Sequence, residues 1–341
     1  MNVCKPSSVD LLKLICSLFV VCIHTQVLKP FHPFINWFIT HALFRLAVPY
    51  FFIASGYFLG IKLLPVAEDK ILRMNICRNY IKNSLPMLLF WSSIGLFNYI
   101  ISMLQNGFSV SITYIIKSIL FYPMGAMWFM LASMVAVLII CLLWDYKKIL
   151  CFIAIIGYCF ALIATSYYFL VDGTLLGDFV KLYLQYFISA RNGINVGLIY
   201  IGIGIYLSKK NNCIRKLNLK NKITIFAMLY VVLCMEIVFT YGKRVLDDSS
   251  CFIILPMLSM FLFLISLDIK MNYSYKLSVH LRKISVFIYC MHYPLKFIMG
   301  IIPLKILQIN IIQFLLIIFI CVLFYYINTI KKNKFVSYVL R

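Results

Sequence analysis

Acidic residues are scarce in this sequence. Only 10 of its 341 residues are Asp or Glu against 32 Lys or Arg, and charged residues of both signs make up 12%. A chain so poor in charge, 64% hydrophobic with a mean hydropathy of +0.98, falls outside the soluble globular class. It also lacks a low-complexity linker and any internal repeat visible by eye, and its apolar runs leave no room for a large soluble domain. Its twelve cysteines form no CxxC pair and no His/Cys ligand spacing. They read as small buried hydrophobes, so neither disulfides nor a metal are expected. The first apolar segment lacks a small-residue cleavage site and carries charge, so it reads as a retained helix and not as a signal peptide. A formal net charge of +22 raises the question of nucleic acid. The basic residues lie in short loops between apolar segments, where they orient a membrane protein, so nucleic acid is not the expected partner.

What is present is a series of hydrophobic runs of spanning length, which predicts an all-α, polytopic bundle of about ten transmembrane helices forming one membrane domain over 1–341. The predicted spans are Val9–Lys29, Leu43–Leu63, Ser84–Leu104, Met127–Trp144, Ile149–Leu170, Ile194–Leu207, Ile223–Thr240, Cys251–Asp268, Ile284–Ile302 and Ile306–Asn328. The sixth is short and glycine-rich, as expected of a tilted, broken or deeply buried segment. With the N-terminus in the cytoplasm, the even-numbered loops hold Lys70, Arg73, Arg78, Lys82, Lys147, Lys148, Lys209, Lys210, Arg215, Lys216, Lys220, Lys222, Lys270, Lys276, Arg282 and Lys283. The C-terminal tail adds Lys331, Lys332, Lys334 and Arg341. The odd-numbered loops hold fewer basic residues and intersperse them with Asp172, Asp178, Asp247 and Asp248. That asymmetry puts both termini in the cytoplasm, and a count of nine or eleven spans would destroy it. Two external loops, Gln105–Ala126 and Val171–Gly193, are long enough to lie over the membrane as a partial lid or to serve as plain connectors.

The first span carries Asp10, Lys13, Ser17 and His24. At about 100° per residue these fall within roughly 60° of one another, a single polar face. Ile15, Leu18, Phe19 and Cys22 form the opposite apolar face. A polar stripe in a spanning helix is costly unless it meets a protein interior or a wet cavity. The topology places His24, Arg45 and Glu236 at similar depth in the outer half of the bilayer. Lys13 lies one turn in from the cytoplasm and His292 near the middle of the ninth span, with Lys296 one turn beyond it. Each has a plainer reading: a packed histidine, an interfacial Arg45, a Lys296 that snorkels. Glu236 is the hardest to explain so, because a buried carboxylate needs a partner.

The opening SVDLLKLICSLFVVCIH resembles the first helix of the membrane acyltransferase-3 family, which has an Asp, a basic residue three later and a His eleven beyond that. Asp10, Lys13 and His24 match. FRLAVPYFFIASGYFLG is similar to the family's second span through Arg45, Pro49, Phe52, Ser55, Gly56 and Tyr57. MWFMLAS around Trp128 resembles its Leu-Trp-Phe segment. RNGINVGLIYIGIGIYL (Arg191, Asn192, Gly193) resembles the entry to a middle span, and ISVFIYCMH (Ser285, Tyr289, His292) a late-span signature. Two departures stand out: Lys13 occupies a position usually held by Arg, and Arg73, Arg78 and Lys82 do not keep the family's Arg-x-x-Arg spacing before the third span.

The resemblance implies an integral membrane acyltransferase that moves an acyl group, most often acetyl, from cytoplasmic acyl-CoA to a hydroxyl of a surface glycan. Acyl-CoA is then a co-substrate, with no resident cofactor. The catalytic candidates are His24, Arg45 and Glu236. The donor-binding candidates are Lys13, Arg73, Arg78 and Lys82, with Asp10, Ser55, Tyr289 and His292 as secondary candidates. His24 serves as general base or brief acyl carrier, Arg45 or Lys13 stabilises the oxyanion, and Glu236 orients the imidazole. The rival reading is a transporter for a small molecule such as an amino acid or glycan precursor, since buried charges also line substrate paths. A purely structural membrane protein leaves the polar face of the first helix unexplained. The family and an AT-rich style of residue usage point to a bacterial plasma membrane.

Overall fold

A computed structural model describes residues 8–124, 126–209, 213–243, 245–246 and 248–331. Lys210, Arg244, Asp247 and the tail residues Lys332, Lys334 and Arg341 lie outside them, as does the side chain of Lys331. The described chain is helical, in the order α1 (Val9–Thr25), α2 (Pro33–Ala42), α3 (Ala47–Leu63), α4 (Lys70–Gln105), α5 (Ile112–Phe121), α6 (Trp128–Leu142) and α7 (Lys147–Ile163). It continues through α8 (Leu175–Phe187), α9 (Leu198–Leu207), α10 (Leu219–Tyr241), α11 (Leu255–Asp268), α12 (Tyr275–Ile301) and α13 (Asn310–Lys331). Several starts are fixed by side chains that take up an otherwise orphaned N–H: Asp69 before α4, Ser111 before α5, Thr174 before α8 and Ser274 before α12.

Among the described residues, five stretches are long and apolar enough to cross a bilayer: Pro33–Val66, Lys70–Gln105, Leu219–Tyr241, Tyr275–Ile301 and Asn310–Thr329. The protein is therefore a multi-pass membrane protein by helix length and composition. The remaining predicted spans correspond to helices of 10–17 residues, so the count of ten rests on these shorter elements. Several boundaries differ from the sequence reading. Residues 33–42, expected as loop, form α2, started by Pro33 at its first turn and by His32 accepting from the Phe34 N–H. The third span begins within α4, whose 36 residues extend about 54 Å, well past a hydrocarbon core of ~30 Å. The fifth ends early, at Ile163. The sixth opens with a π-turn at Gly193–Gly197 before α9, the interruption that its short glycine-rich sequence suggested.

The chain forms two compact units. The first comprises Met1–Ala54, Cys213–Ile237 and Met257–Arg341, and the second Ser55–Asn212 and Val238–Pro256. In the first, α1 and α12 lie parallel in one register: Ser285 donates to the Lys13 carbonyl and Lys296 to the His24 carbonyl, both 272 residues away. Arg282 meets Asp10 on that same offset. The contacts extend from residue 10 to residue 24 of α1, about 21 Å of axis. α13 runs the other way. Asn310 at its start donates to Thr25 and Gln26 at the end of α1, while Tyr325, near its far end, contacts His280 near the start of α12. Val21, Ile288, Ile317 and Cys321 fill the core between the three helices.

In the second unit, Gly56 and Gly60 on α3 face Ile201 and Ile205 on α9 and Ser208 just past its end so closely that a Cβ at either glycine would collide with them. The GYFLG run is thus a small-xxx-small contact, the device by which helices approach in lipid. α4 and α6 run antiparallel, with Arg73 bonded to Asp145 and Cys141 against Met74.

Candidate active site

α12 carries a polar stripe of its own. Ser278, Arg282, Ser285, Tyr289, His292 and Lys296 recur at intervals of three and four residues, so all fall within about 80° of one face. That stripe meets the polar face of α1. At one end Asp10 is the hub: its Oδ1 lies 3.4 Å from Arg282 Nε and 3.9 Å from Lys13 Nζ, and its Oδ2 accepts from Ser278 Oγ at 2.5 Å. Ser17 is fully buried in the middle of α1. At the other end the rings of His24 and His292 stand 5.0 Å apart, and Tyr293 meets His24 edge-on at 5.9 Å.

The local chemistry of this end follows from two broken ladders. α1 stops at Thr25 because Gln26 adopts a left-handed conformation (φ 50°). The carbonyls freed by that stop are taken by Lys296 at His24 and by Asn310 at Thr25. Lys296 is therefore committed to the end of α1 and does not snorkel. On α12, Pro294 has no N–H, so it cannot make the helical bond to the carbonyl of Cys290, beside the histidine. His292 has no solvent exposure, and its Nδ1–H donates to the Tyr289 carbonyl at 2.6 Å. A carbonyl only accepts, so in the neutral ring the lone pair sits on Nε2. That Nε2 is buried and has no hydrogen-bond partner among the described residues.

The structure thus joins His24, His292, Tyr289 and Lys296 at one end of α1, and Asp10 and Lys13 at the other. His24 and Lys13 are eleven residues apart on one helix, about 16 Å along its axis. Arg45 lies in a single 3-10 turn, Phe44–Leu46, that packs on α1 through Phe44 against Phe19 at 5.4 Å. It is half-buried, and its Nε is shielded from solvent. Glu236 is half-buried on α10. In the second unit, Ser55 lies with Ser133 beside the Tyr80 hydroxyl. Arg73 is engaged in packing: its side chain is 5% exposed, it pairs with Asp145 at 2.9 Å, donates to the Ala67 carbonyl and lies over Trp144. Arg78 and Lys82 are exposed and, at five and nine residues from Arg73, project to the other side of α4. Sequence reasoning missed Arg282 as the partner of Asp10, and it missed the two imidazoles coming together. The stripe on α12 was the available signal for both. No group of three His, Cys, Asp or Glu side chains comes together among the described residues.

A second cluster lies in the other unit. Arg191 Nε is 3.0 Å from Asp248 Oδ2, and the guanidinium lies over Tyr122 at 5.4 Å and Trp128 at 5.3 Å. Burial by itself would disfavour its charge; the Asp248 carboxylate outweighs that and holds the guanidinium above its usual range. Asn192 accepts from the N–H groups of Ile194 and Asn195 to start the π-turn, and donates to the Tyr183 hydroxyl at 2.7 Å.

Two stretches offset by 272 residues in sequence, α1 and α12, thus share a site, and in the other unit Trp128 meets Arg191. A family profile described as an acyltransferase domain, that of acyltransferase-3, covers this whole arrangement, matching residues 7–329. The chain belongs to the acyltransferase-3 family. This acyltransferase-3 chain is also similar to a serine/alanine racemase of Enterococcus gallinarum, 25% identical over 296 residues, 84% of this chain and 40% of that protein. Two amino-acid racemases of Enterococcus faecalis match at 24% over 300 residues and 28% over 258, covering 40% and 34% of their lengths. The chain thus spans about two fifths or less of the curated relatives it matches. No solved structure matches it.

Proposed function

We propose that this acyltransferase-3 protein transfers an acyl group, acetyl in the simplest case, from cytoplasmic acyl-CoA to a hydroxyl of an envelope glycan in a bacterial plasma membrane. The observation that carries this reading is the pair His24–His292, where Nε2 of His292 is buried with no partner among the described residues beside a second imidazole. Burial without a partner is costly, and the cost is explained if a substrate hydroxyl completes the site. His24 takes the proton of the acceptor hydroxyl as that oxygen bonds to the thioester carbonyl carbon. The carbon–sulfur bond then breaks, and the departing thiolate of coenzyme A receives the proton from the imidazolium. His292, whose ring contacts His24, orients it, a role that the sequence reading gave to Glu236.

Arg45, on a turn packed against α1, stabilises the oxyanion. Lys13 acts on the donor and not on the oxyanion, because it sits about 16 Å down α1 from His24. It shares that end with Asp10 and Arg282. Arg78 and Lys82, exposed on α4, pair with the donor's phosphates, whereas Arg73 is spent on Asp145. Replacing His24 with Ala is expected to abolish transfer while the protein still inserts. The measurement is mass spectrometry of envelope glycans, reading the acetyl mass with wild type, variant and deletion; full acetylation in the His24→Ala strain removes the imidazole from the mechanism.

A second reading has one observation of its own: the similar proteins are named as racemases of serine, alanine or other amino acids, and this chain matches only a part of each. In that reading the polar seam between α1 and α12 carries a small amino acid across the membrane. Uptake of labelled serine that falls with deletion, with glycans unchanged, selects this reading over acyl transfer.

A further inference from the structure

The two helices α5 and α8 are not explained by transfer chemistry. At 10 and 13 residues they measure about 15 and 20 Å, too short to span a bilayer. Both stand at the same end of the second unit. α4 and α6 run antiparallel, with Arg73 and Asp145 at one end, so α5, which links them, lies at the other. The short turn from α6 to α7 then carries the chain back, and α8 follows α7 at that same end. The two helices touch through Phe121 and Phe187 at 4.7 Å and through Lys117, whose ammonium donates to the Gln185 carbonyl at 3.0 Å.

Each carries an apolar stripe turned outwards. On α8, Leu175, Phe179, Leu182 and Tyr186 are all exposed, Leu175 at 90%, at spacings of four, three and four residues. Gly177 and Val180 point the other way and are buried. On α5, Ile112, Ile116 and Ile119 repeat the pattern, again exposed. A helix with one face packed on protein and a second, apolar face left outside has the build of an interfacial helix. Between the two helices lies an open cleft of about 310 Å³, bordered by Ser111, Thr113, Tyr114, Lys117 and Gln185. It combines one cation with three hydroxyl groups and one amide at the edge of an apolar surface. Lys117 brings positive charge to the cleft itself, while Lys181 on α8 pairs with Asp172 at 3.5 Å.

We propose that α5 and α8 form a platform bedded in one leaflet, and that the cleft between them holds the anionic headgroup of a phospholipid. The test uses the full chain in nanodiscs of phosphatidylglycerol whose acyl chains are brominated or not. Phe179→Trp adds an indole on the α8 stripe, and its extra emission over wild type is expected to fall by about half or more in brominated lipid. Ile116→Trp, on α5, repeats the measurement independently. Added emission that is unquenched in both variants places the stripes in water, as in a lid, or under protein, and overturns the platform. For the cleft, native mass spectrometry from nanodiscs of mixed phosphatidylglycerol and phosphatidylcholine is expected to show phosphatidylglycerol retained by wild type and lost from Lys117→Gln. Equal retention by the two proteins, or no preference between the two lipids, overturns the headgroup site.

Discussion

In the second unit a buried and a half-buried guanidinium are each held by a carboxylate and by aromatic rings: Arg73 by Asp145 and Trp144, Arg191 by Asp248, Tyr122 and Trp128. In the first unit the buried His292 keeps a ring nitrogen with no partner among the described residues, although Lys296 and Asn310 nearby are spent on backbone carbonyls. The two regions face the same low-polarity surroundings and answer differently. A charge held by a counter-charge and a flat ring is neutralised and positions helices. A buried ring nitrogen left open can take a hydrogen bond from a substrate. Substitutions at these two clamps of the second unit should therefore change stability and leave chemistry alone, and those around the imidazoles should do the reverse.

The sharpest way to break this contrast is His292→Gln, which keeps a polar side chain but removes the ring nitrogen. The expected loss is about a hundredfold in kcat with donor KM unchanged, at wild-type thermal stability. A Tm drop with full residual kcat instead makes His292 a packing residue. Next in size is the asymmetry of the α4–α6 clamp. Asp145→Ala leaves a buried guanidinium uncompensated, about 2–3 kcal/mol of lost stability. Arg73→Met frees a carboxylate whose side chain is 63% exposed and hydrates, which costs about 1 kcal/mol or less. Thermal unfolding of both variants in detergent compares them, and equal costs refute the account of the clamp.

Arg191→Lys keeps the charge opposite Asp248 but loses the planar stack, with about 1 kcal/mol of stability lost and transfer rate unchanged. An unshifted Tm would mean the rings contribute nothing there. The smallest effect is expected from joint replacement of Arg78 and Lys82 by Ala: a rise of about threefold to tenfold in donor KM without loss of kcat. Steady-state kinetics over a range of acyl-CoA concentrations reads it, and an unmoved KM places the donor's phosphates elsewhere.

Much of the membrane architecture was legible because hydropathy is a property of single residues added over a window. The polar face of α1 was legible for the same reason: Asp10, Lys13, Ser17 and His24 share a face by helical spacing alone. Helix ends were read less well. α2 was taken for a loop because its start depends on His32 and Pro33 acting on their own backbone, a local cap within an apolar run. The burial of the donor candidates was not legible, since nothing in KILRMNICRNYIKNS marks Arg73 as buried and Arg78 as exposed. That distinction depends on Asp145, 72 residues away.

From its sequence alone this protein is a multi-pass helical membrane protein of the acyltransferase-3 family with an expensive polar face on its first helix. Composition and 3.6-residue periodicity are enough for that. Which groups meet that face was decided only by the parallel packing of α1 on α12, at an offset of 272 residues. A register between distant helices is set by the fit of whole surfaces, so no local stretch of chain encodes it.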